Sequence, residues 1–239
     1  MKLALFGHGG MGALVETRAR DAGHAIAVIF TDRDAGRPVD DVAAALRGEG
    51  ADAAIDFSVG AAVPDHVRAC VKAGVPLVEG TTGWGKELDQ VRGLVADGRG
   101  ALIYGANFSV GVNLFYRIVR AAAEQLGRDP SYGAFIEEAH HIRKKDAPSG
   151  TALKLKEIVA KTFGSGVSVA STRAGNIPGT HRVGFDGIAD QITLTHAARS
   201  REGFAAGALL AARWIVGRRG FYEFAEVLDD LLAPEGSGR

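Results

Sequence analysis

One cysteine in 239 residues, Cys70, excludes an internal disulfide framework and an all-cysteine zinc site, and it suits a reducing, cytoplasmic setting. Its surroundings, VRACVKAG, have helical spacing, so it reads as a small buried hydrophobe and not as a nucleophile. No apolar run reaches the ~18 residues of a membrane span, and the opening run KLALF stops at Gly7, short of a signal sequence's hydrophobic region. Net charge is missing too: 28 basic residues face 28 acidic ones. That balance argues against nucleic acid or a membrane surface as a partner held by bulk electrostatics, so any anion must be caught by a local arrangement. There is no internal repeat, no low-complexity segment and no clean linker. With 46% apolar and 23% charged residues, the chain has an ordinary globular composition and the length for one large or two small domains.

Glycine, by contrast, is plentiful, and its placement is informative. An apolar run over residues 2–6, of strand length, ends in GHGGMG, that is Gly7, His8, Gly9, Gly10, Met11 and Gly12. A helical pattern over 13–22 follows, closed by Gly23, and a second strand over 25–30 ends at Thr31, Asp32 and Arg33. Strand, glycine turn, helix and strand, with an acidic residue about 20 positions past the last glycine, is the layout of a dinucleotide-binding unit. Gly7 makes the tight turn, Gly9 lets backbone approach a pyrophosphate, and Gly12 allows close helix–strand packing. A glycine turn with no ligand is the alternative. Asp32 would accept hydrogen bonds from ribose hydroxyls and so favour NADH, while Arg33 could pair with a 2′-phosphate. Together they suggest tolerance of both NADH and NADPH; a surface cation in a turn is the competing reading of Arg33.

The α/β rhythm continues with strands over 53–57, 75–78 and 101–104 and helices over 64–73 and 86–96. Such alternation predicts a parallel sheet with helices on both faces, and ligands bind such sheets beyond the carboxyl ends of the strands. Two loops fall there: Gly80, Thr81, Thr82, and then Gly105, Ala106, Asn107, Phe108. Both are placed to touch the nicotinamide half of a dinucleotide, with ordinary turn chemistry as the alternative. After Phe108 the pattern changes. A long amphipathic helix over 111–126, ended by Gly127 and Pro130, precedes a helix over 150–161 and strand-like runs over 167–171, 179–185 and 191–195. Strands without intervening helices imply a mixed or antiparallel sheet and an α+β domain. Helical patterns over 203–216, with Trp214 on the apolar face, and over 223–232 complete the chain, and the tail EGSGR is expected to fray. The fold class is therefore α/β: a Rossmann-like dinucleotide-binding domain over 1–108 and 201–239, and an α+β substrate and oligomerisation domain over 109–200.

The densest chemistry lies in EAHHIRKKDAPSGTA, residues 138–152. A mostly apolar, strand-like run over 132–139 delivers His140 and His141 to its end, followed by Arg143, Lys144 and Lys145. Pro148 and Ser149 then stop the extended chain, and Gly150 and Thr151 open a helix whose first N–H groups have no intrahelical partner. A helix start beside Lys144 and two histidines is a site for an anion, and Ser149 with the Gly150 and Thr151 amides would converge on it. A solvated basic loop is the bland reading. His181 and His196 add two more imidazoles, but no histidine pair has helix-type ligand spacing and carboxylates near them are few, so no metal is expected.

GHGGMG, GTTGW, GANFSVGVN and above all EAHHIRKKDAPSGTAL resemble the 4-hydroxy-tetrahydrodipicolinate reductase (dihydrodipicolinate reductase) family of the diaminopimelate route to lysine, over almost the whole chain. The resemblance implies a cofactor turn at residues 7–12, a ribose-reading pair at Asp32 and Arg33, and nicotinamide-side loops at 80–82 and 105–108. It implies His140 as the catalytic histidine and Lys144 as the proton donor. It places His141, Gly150, Thr151 and Arg201 on the carboxylates of a cyclic dicarboxylate substrate, and it implies a homotetramer built through the second domain's sheet.

Four departures stand out. The cofactor turn is one residue shorter than the commonest form, and the region after Asp32 is reduced. Glu79 replaces an apolar residue before GTTG, and Ile142 replaces a polar one between the histidines and the lysine. A related two-domain enzyme such as an L-aspartate dehydrogenase would have no reason for DAPSGT beside His140 and Lys144. A noncatalytic NAD-sensing protein could lose the lysine.

Overall fold

In the computed structural model, which describes residues 1–233, the elements run β1 (Lys2–Phe6), α1 (Gly10–Asp21), β2 (Ala25–Phe30), α2 (Val39–Gly48), β3 (Ala53–Asp56), α3 (Val63–Ala73), β4 (Leu77–Glu79), α4 (Leu88–Asp97) and β5 (Ala101–Tyr104). They continue with α5 (Val110–Leu126), β6 (Gly133–His140), α6 (Gly150–Phe163), β7 (Ser168–Arg173), β8 (Thr180–Asp186), β9 (Gln191–Ala197), α7 (Glu202–Ile215), β10 (Gly220–Glu223) and α8 (Leu228–Leu232). The expected fraying of the tail over 235–239 lies outside the described residues. The chain forms two units, one from Met1–Val110 with the described residues from Glu202 onward, the other Gly111–Arg201.

Alternation along the strands builds the first unit. β1 sends Leu3 and Leu5 to one face and Ala4 and Phe6 to the other, and β3 divides Ala53 and Ile55 from Ala54 in the same way. Each face carries its own core, one under α1, α7 and α8, the other under α2, α3 and α4. Strands buried on both faces read as continuous apolar runs, which is why they were legible as strands of a parallel sheet. The sheet order is β10-β5-β4-β3-β1-β2, and every pair is parallel. The connection from β1 goes to one side and the chain then returns to the other, so the glycine turn after β1 lies at the reversal of strand order, where such sheets bind ligands.

Three local expectations differ from what is observed. α1 begins at Gly10 and not at residue 13, because the glycine turn itself supplies the first helical residues. α2 was not anticipated; it follows Pro38, carries Asp40 and Asp41 in its first turn and Arg47 in its last, and buries Val42, Ala43 and Leu46. The run over 223–232 is not one helix: Gly220–Glu223 pairs with β5, and only Leu228–Leu232 is helical.

The second unit has a four-stranded sheet ordered β7-β6-β8-β9, mixed because β6 and β7 are parallel and the other pairs antiparallel. α5 and α6 cover one face, packing Phe115, Val119, Leu155 and Val159 on Ile136, Val183 and Phe185. Among the described residues no helix is long and apolar enough to cross a membrane.

α7 reaches the sheet through small residues, Ala205, Ala208, Ala211 and Ala212, all fully buried. At Gly207 a Cβ would stand 1.7 Å from the Phe108 carbonyl oxygen, a backbone atom that cannot step aside. Gly93, in α4, has nothing within 4 Å of the same position. Urea denaturation should therefore separate two formally identical changes: Gly207→Ala destabilises by about 2–3 kcal/mol, whereas Gly93→Ala stabilises by about 0.5–1 kcal/mol. Equal effects at the two positions would contradict this packing.

Candidate active site

In the first unit the glycine turn is built as its sequence requires. Gly7 has φ +85°, and a Cβ there would meet the Phe57 carbonyl at 2.5 Å; a Cβ on Gly12 would lie 2.1 Å from the Gly7 carbonyl. Both glycines serve the protein's own packing. Gly9 and Gly10 do not: neither has an atom within 4 Å of its Cβ position. Gly9 is the N-cap of α1 and makes no side-chain capping bond, so the first N–H groups of this helix are left to another partner. His8 is turned to Glu16, with Nε2 2.6 Å from a carboxylate oxygen.

Asp32 and Arg33 sit exposed in a single 3-10 turn after β2. Thr31 and Asp34 form a capping box that fixes this turn: Thr31 Oγ1 accepts from Arg33 N and Asp34 Oδ2 accepts from Thr31 N, at 3.3 and 2.9 Å. Sequence reading had passed over Asp34.

The loop at Gly80, Thr81 and Thr82 follows β4 and is held from below. Glu79 Oε1 accepts the Thr81 N–H at 2.8 Å, Asp56 Oδ1 accepts the Thr81 hydroxyl at 3.1 Å, and Trp84 Nε1 donates to the Thr81 carbonyl at 2.9 Å. In the loop after β5, Asn107 Oδ1 accepts the Ser109 N–H. Phe108 is 1% exposed and packs its ring on Phe57 and Phe224, so its side chain is core. Gly105 lies against Phe224 as well, and Ala106 is exposed.

In the second unit, β6 ends at His140, and His141 lies just beyond it. Glu138, two residues earlier on the same face of the strand, is 3% exposed and accepts four hydrogen bonds. Arg173 gives two, at 3.0 and 2.8 Å; the Ser149 N–H gives one at 3.3 Å; His140 Nδ1 gives one that is very short. Burial works against ionising Glu138, but the donors Arg173, Ser171 and His140 outweigh it and hold the carboxyl at about 2. Desolvation lowers His140, against the pull of Glu138. The arrangement assigns a neutral imidazole with its proton on Nδ1, leaving Nε2 as an acceptor.

Ser149 caps α6 as expected, its hydroxyl accepting the Ala152 N–H at 3.2 Å. Ser149 is 2% exposed, and its hydroxyl also hydrogen-bonds His181 Nε2, 3.0 Å away. Gly150 and Thr151 remain at the helix start, Gly150 exposed and the Thr151 side chain bonded to Tyr116.

Desolvation first, and then the charges of Arg143, Arg201, Lys144 and Arg173, lower His141. Lys144 Nζ pairs with Asp146 at 2.8 Å, Arg143 with Asn176 at 3.1 Å, and Arg173 reaches the Asp146 carbonyl. Ile142 is exposed. Arg173 and the role of Glu138 were missed by sequence reading; the parallel register that sets Arg173 opposite His140 joins residues 33 positions apart and leaves no local signal. Glu138, His140 and His181 could bring ligand atoms within 4.8 Å of one another, as a metal would need. But Glu138 already spends both oxygens on Arg173 and His140, so the cluster is filled by protein donors.

His181 is pushed down to about 4, chiefly by burial and then by the charge of His140. The unfolded chain protonates this ring near 6.5, so between pH 6.5 and 4 it binds more protons than the folded state, and stability falls as pH falls through that window. The loss amounts to about 3 kcal/mol at the acid end. Thermal midpoints between pH 7 and 4 should show this decline, and His181→Gln, which can still accept from Ser149, should remove most of it. An unchanged slope would place the proton elsewhere.

Residues 1–108 match the family described as dihydrodipicolinate reductase, N-terminus, and residues 111–228 match its C-terminus. A 4-hydroxy-tetrahydrodipicolinate reductase of Christiangramia forsetii is 34% identical over 97% of this chain and 99% of its own length. One of an Anaeromyxobacter species is 39% identical over 80% and 77%. Among solved structures, a dipicolinate-bound dihydrodipicolinate reductase of a Paenisporosarcina species superposes with a TM-score of 0.79 at 20% identity, covering 95% of this chain and 99% of that one. An amine dehydrogenase of Mycobacterium smegmatis reaches 0.61 at 10% identity, over 94% and 95%, a likeness of fold alone. The chain belongs to the dihydrodipicolinate reductase family.

Proposed function

We propose that Lys144 is the proton donor, and the cluster of His141, Lys144, Arg173 and Arg201 at the start of α6 the carboxylate-binding site, of a 4-hydroxy-tetrahydrodipicolinate reductase. As a member of its family the chain is an NAD(P)H-dependent oxidoreductase that reduces 4-hydroxy-tetrahydrodipicolinate to tetrahydrodipicolinate in the diaminopimelate route to lysine. What supports the residue assignment is that the charges of Arg143, Arg201, Lys144 and Arg173 all act on His141 in a protein with no net charge. Asp146 and Glu138 pair Lys144 and Arg173, and a cyclic dicarboxylate would bring two further negative charges. His141, Arg201 and the first amides of α6, at Gly150 and Thr151, would hold those carboxylates.

The open space at Gly9 and Gly10 and the uncapped start of α1 fit a pyrophosphate, with Asp32 on the ribose and Arg33 on a 2′-phosphate where present. Backbone at Gly80, Thr81, Thr82, Gly105, Ala106 and Asn107 would receive the nicotinamide half. Loss of the hydroxyl, with a hydrogen from the neighbouring ring carbon, as water gives a conjugated imine, and NADH or NADPH, when bound, would supply a hydride to its ring carbon four. The enamine so formed takes a proton on that neighbouring carbon, and a general acid has to stand within hydrogen-bond reach. Lys144 Nζ lies 2.8 Å from Asp146 Oδ1. His140, neutral and with its one N–H committed to Glu138, serves better as an acceptor that orients. A homotetramer through the second sheet, in the cytoplasm, completes the reading. Its support is the face turned away from α5 and α6, where Phe135 lies under Arg182 and Arg182 pairs with Glu137 at 3.1 Å.

Purified protein should oxidise NADH or NADPH when given freshly made product of dihydrodipicolinate synthase, and Lys144→Ala should lower turnover ~100-fold or more with NADH binding intact. Turnover like that of the unaltered enzyme would remove Lys144 from the chemistry. Arg33→Ala should weaken NADPH more than NADH in direct binding measurements; equal losses would exclude the phosphate contact.

A further inference from the structure

The C-terminal ends of β3 and β4 carry two carboxyl groups side by side. Asp56 and Glu79 are register partners on adjacent parallel strands, both with no exposed surface, on the face that packs against α3 and α4. Neighbouring strands run about 4.8 Å apart. Asp56 is well supplied with donors: Oδ1 accepts from the Ser58 N–H and the Thr81 hydroxyl, and Oδ2 lies 2.6 Å from His66 Nδ1. Glu79 is not. Its Oε1 accepts one bond, from the Thr81 N–H, while its Oε2 has no donor among the described residues and the Asp56 carboxyl beside it favours the protonated form. A carboxylate oxygen buried without a donor, next to a second carboxylate, is the costliest arrangement such a pair can take.

Both groups grip one residue. Glu79 holds the Thr81 N–H and Asp56 the Thr81 hydroxyl, while Trp84 holds its carbonyl. Gly80 completes the constraint, since its N–H donates to the Asp56 carbonyl at 2.9 Å and a Cβ there would strike the Phe57 ring at 2.3 Å. We propose that Glu79 is a positioning residue for the loop over 80–82: as the neutral acid it lets both carboxyls hold Thr81 at once, and loss of its proton releases the loop and weakens NAD(P)H binding.

The groups facing Glu79 are Asp56 from β3, His66 and Cys70 from α3, and Tyr104, its register partner on β5, which in turn reaches Glu223 of β10. His66 is the one of these that can carry positive charge, and it is spent on Asp56. Burial first, and the Asp56 charge second, push Glu79 well above the ordinary carboxyl range. Ionised, Glu79 would repel the carboxylate beside it, and the two could separate only by pulling the Thr81 N–H and hydroxyl in opposite directions. Hydrogen bonding thus links a proton in the sheet to the geometry of a loop on its edge.

This inference rests on the proposal that the loop over 80–82 receives the nicotinamide half of the cofactor. NADH dissociation constants, read by fluorescence from pH 5.5 to 9.5, and thermal midpoints of the unliganded protein over the same range test it in the unaltered chain, Glu79→Gln and Glu79→Val. The unaltered chain should lose NADH affinity at least fivefold towards alkaline pH. Glu79→Gln, which keeps the acceptor and cannot ionise, should hold a constant affinity, and Glu79→Val should bind about tenfold more weakly throughout. The thermal midpoint of Glu79→Gln should exceed that of the unaltered chain at pH 9 and match it at pH 5.5. A Glu79→Gln variant with the same pH dependence as the unaltered chain, in binding and in midpoint, would overturn the proton linkage; normal binding by Glu79→Val would overturn the positioning role. Failure of every variant to bind NADH, with the midpoint difference present, would instead refute the cofactor reading and leave the buried proton standing.

Discussion

Glu138 is the constraint on which the second unit's site depends. Its carboxylate takes hydrogen bonds from Arg173 at the end of β7, from His140 at the end of β6 and from the Ser149 backbone at the start of α6. Three chain segments that are not neighbours in sequence are thereby fixed against one charge. Removing one partner of a buried ion pair costs about 3–5 kcal/mol, more than the margin on which most loops are ordered. The loop over 141–149 needs such an anchor because it carries Arg143, Lys144 and Lys145 in succession. Arg173 does a second task here, since its guanidinium also holds the Asp146 carbonyl, and Asp146 is the partner of Lys144.

The two units present helix starts of opposite design. α6 is capped by a serine that faces inward, toward His181, and so only its first two amides are left for a ligand. α1 begins at Gly9 with no side-chain cap at all, and its N–H groups and open glycine positions leave a broad cradle. A carboxylate is small and gains its energy from a few charge-assisted bonds, whereas a pyrophosphate needs close approach of backbone over a longer path. The charges are divided too: Arg143, Lys144, Arg173 and Arg201 all act on His141 in the second unit, whereas the glycine turn of α1 contains only His8, which is paired with Glu16.

Much of this was legible in the sequence because it is local. The glycine turn, the strand ends, the Ser149 cap and the histidine–lysine run each depend on residues a few positions apart, and hydrophobic period and capping chemistry report such spacing directly. The reading failed where a short element lacked a period, as with α2, whose alanine-rich ten residues have only three buried positions, and β10, whose four residues merged with the helix after them. It failed again where the partner came from across a parallel sheet. Arg173 and Glu138 meet because β6 and β7 are in register, and Asp56 and Glu79 because β3 and β4 are. Crossover connections of variable length lie between such strands, so nothing in the spacing of the residues announces the contact.

The three buried carboxyls show what the sheet decides once the contact is made. Glu138 accepts four hydrogen bonds from three groups, two of the bonds from one guanidinium, and is held ionised. Asp56 receives three. Glu79 receives one, from an uncharged amide, and is pushed up. All three are nearly or wholly without exposed surface, so burial alone cannot separate them. Desolvation costs an isolated ion several kcal/mol after relaxation, and each hydrogen bond to a charged group returns about 1.5–3 kcal/mol, so a single amide donor does not offset it. Charge at a buried carboxyl is therefore a property of the register that brings donors to it, and the same residue type becomes an anchor at the end of β6 and a proton carrier at the end of β4.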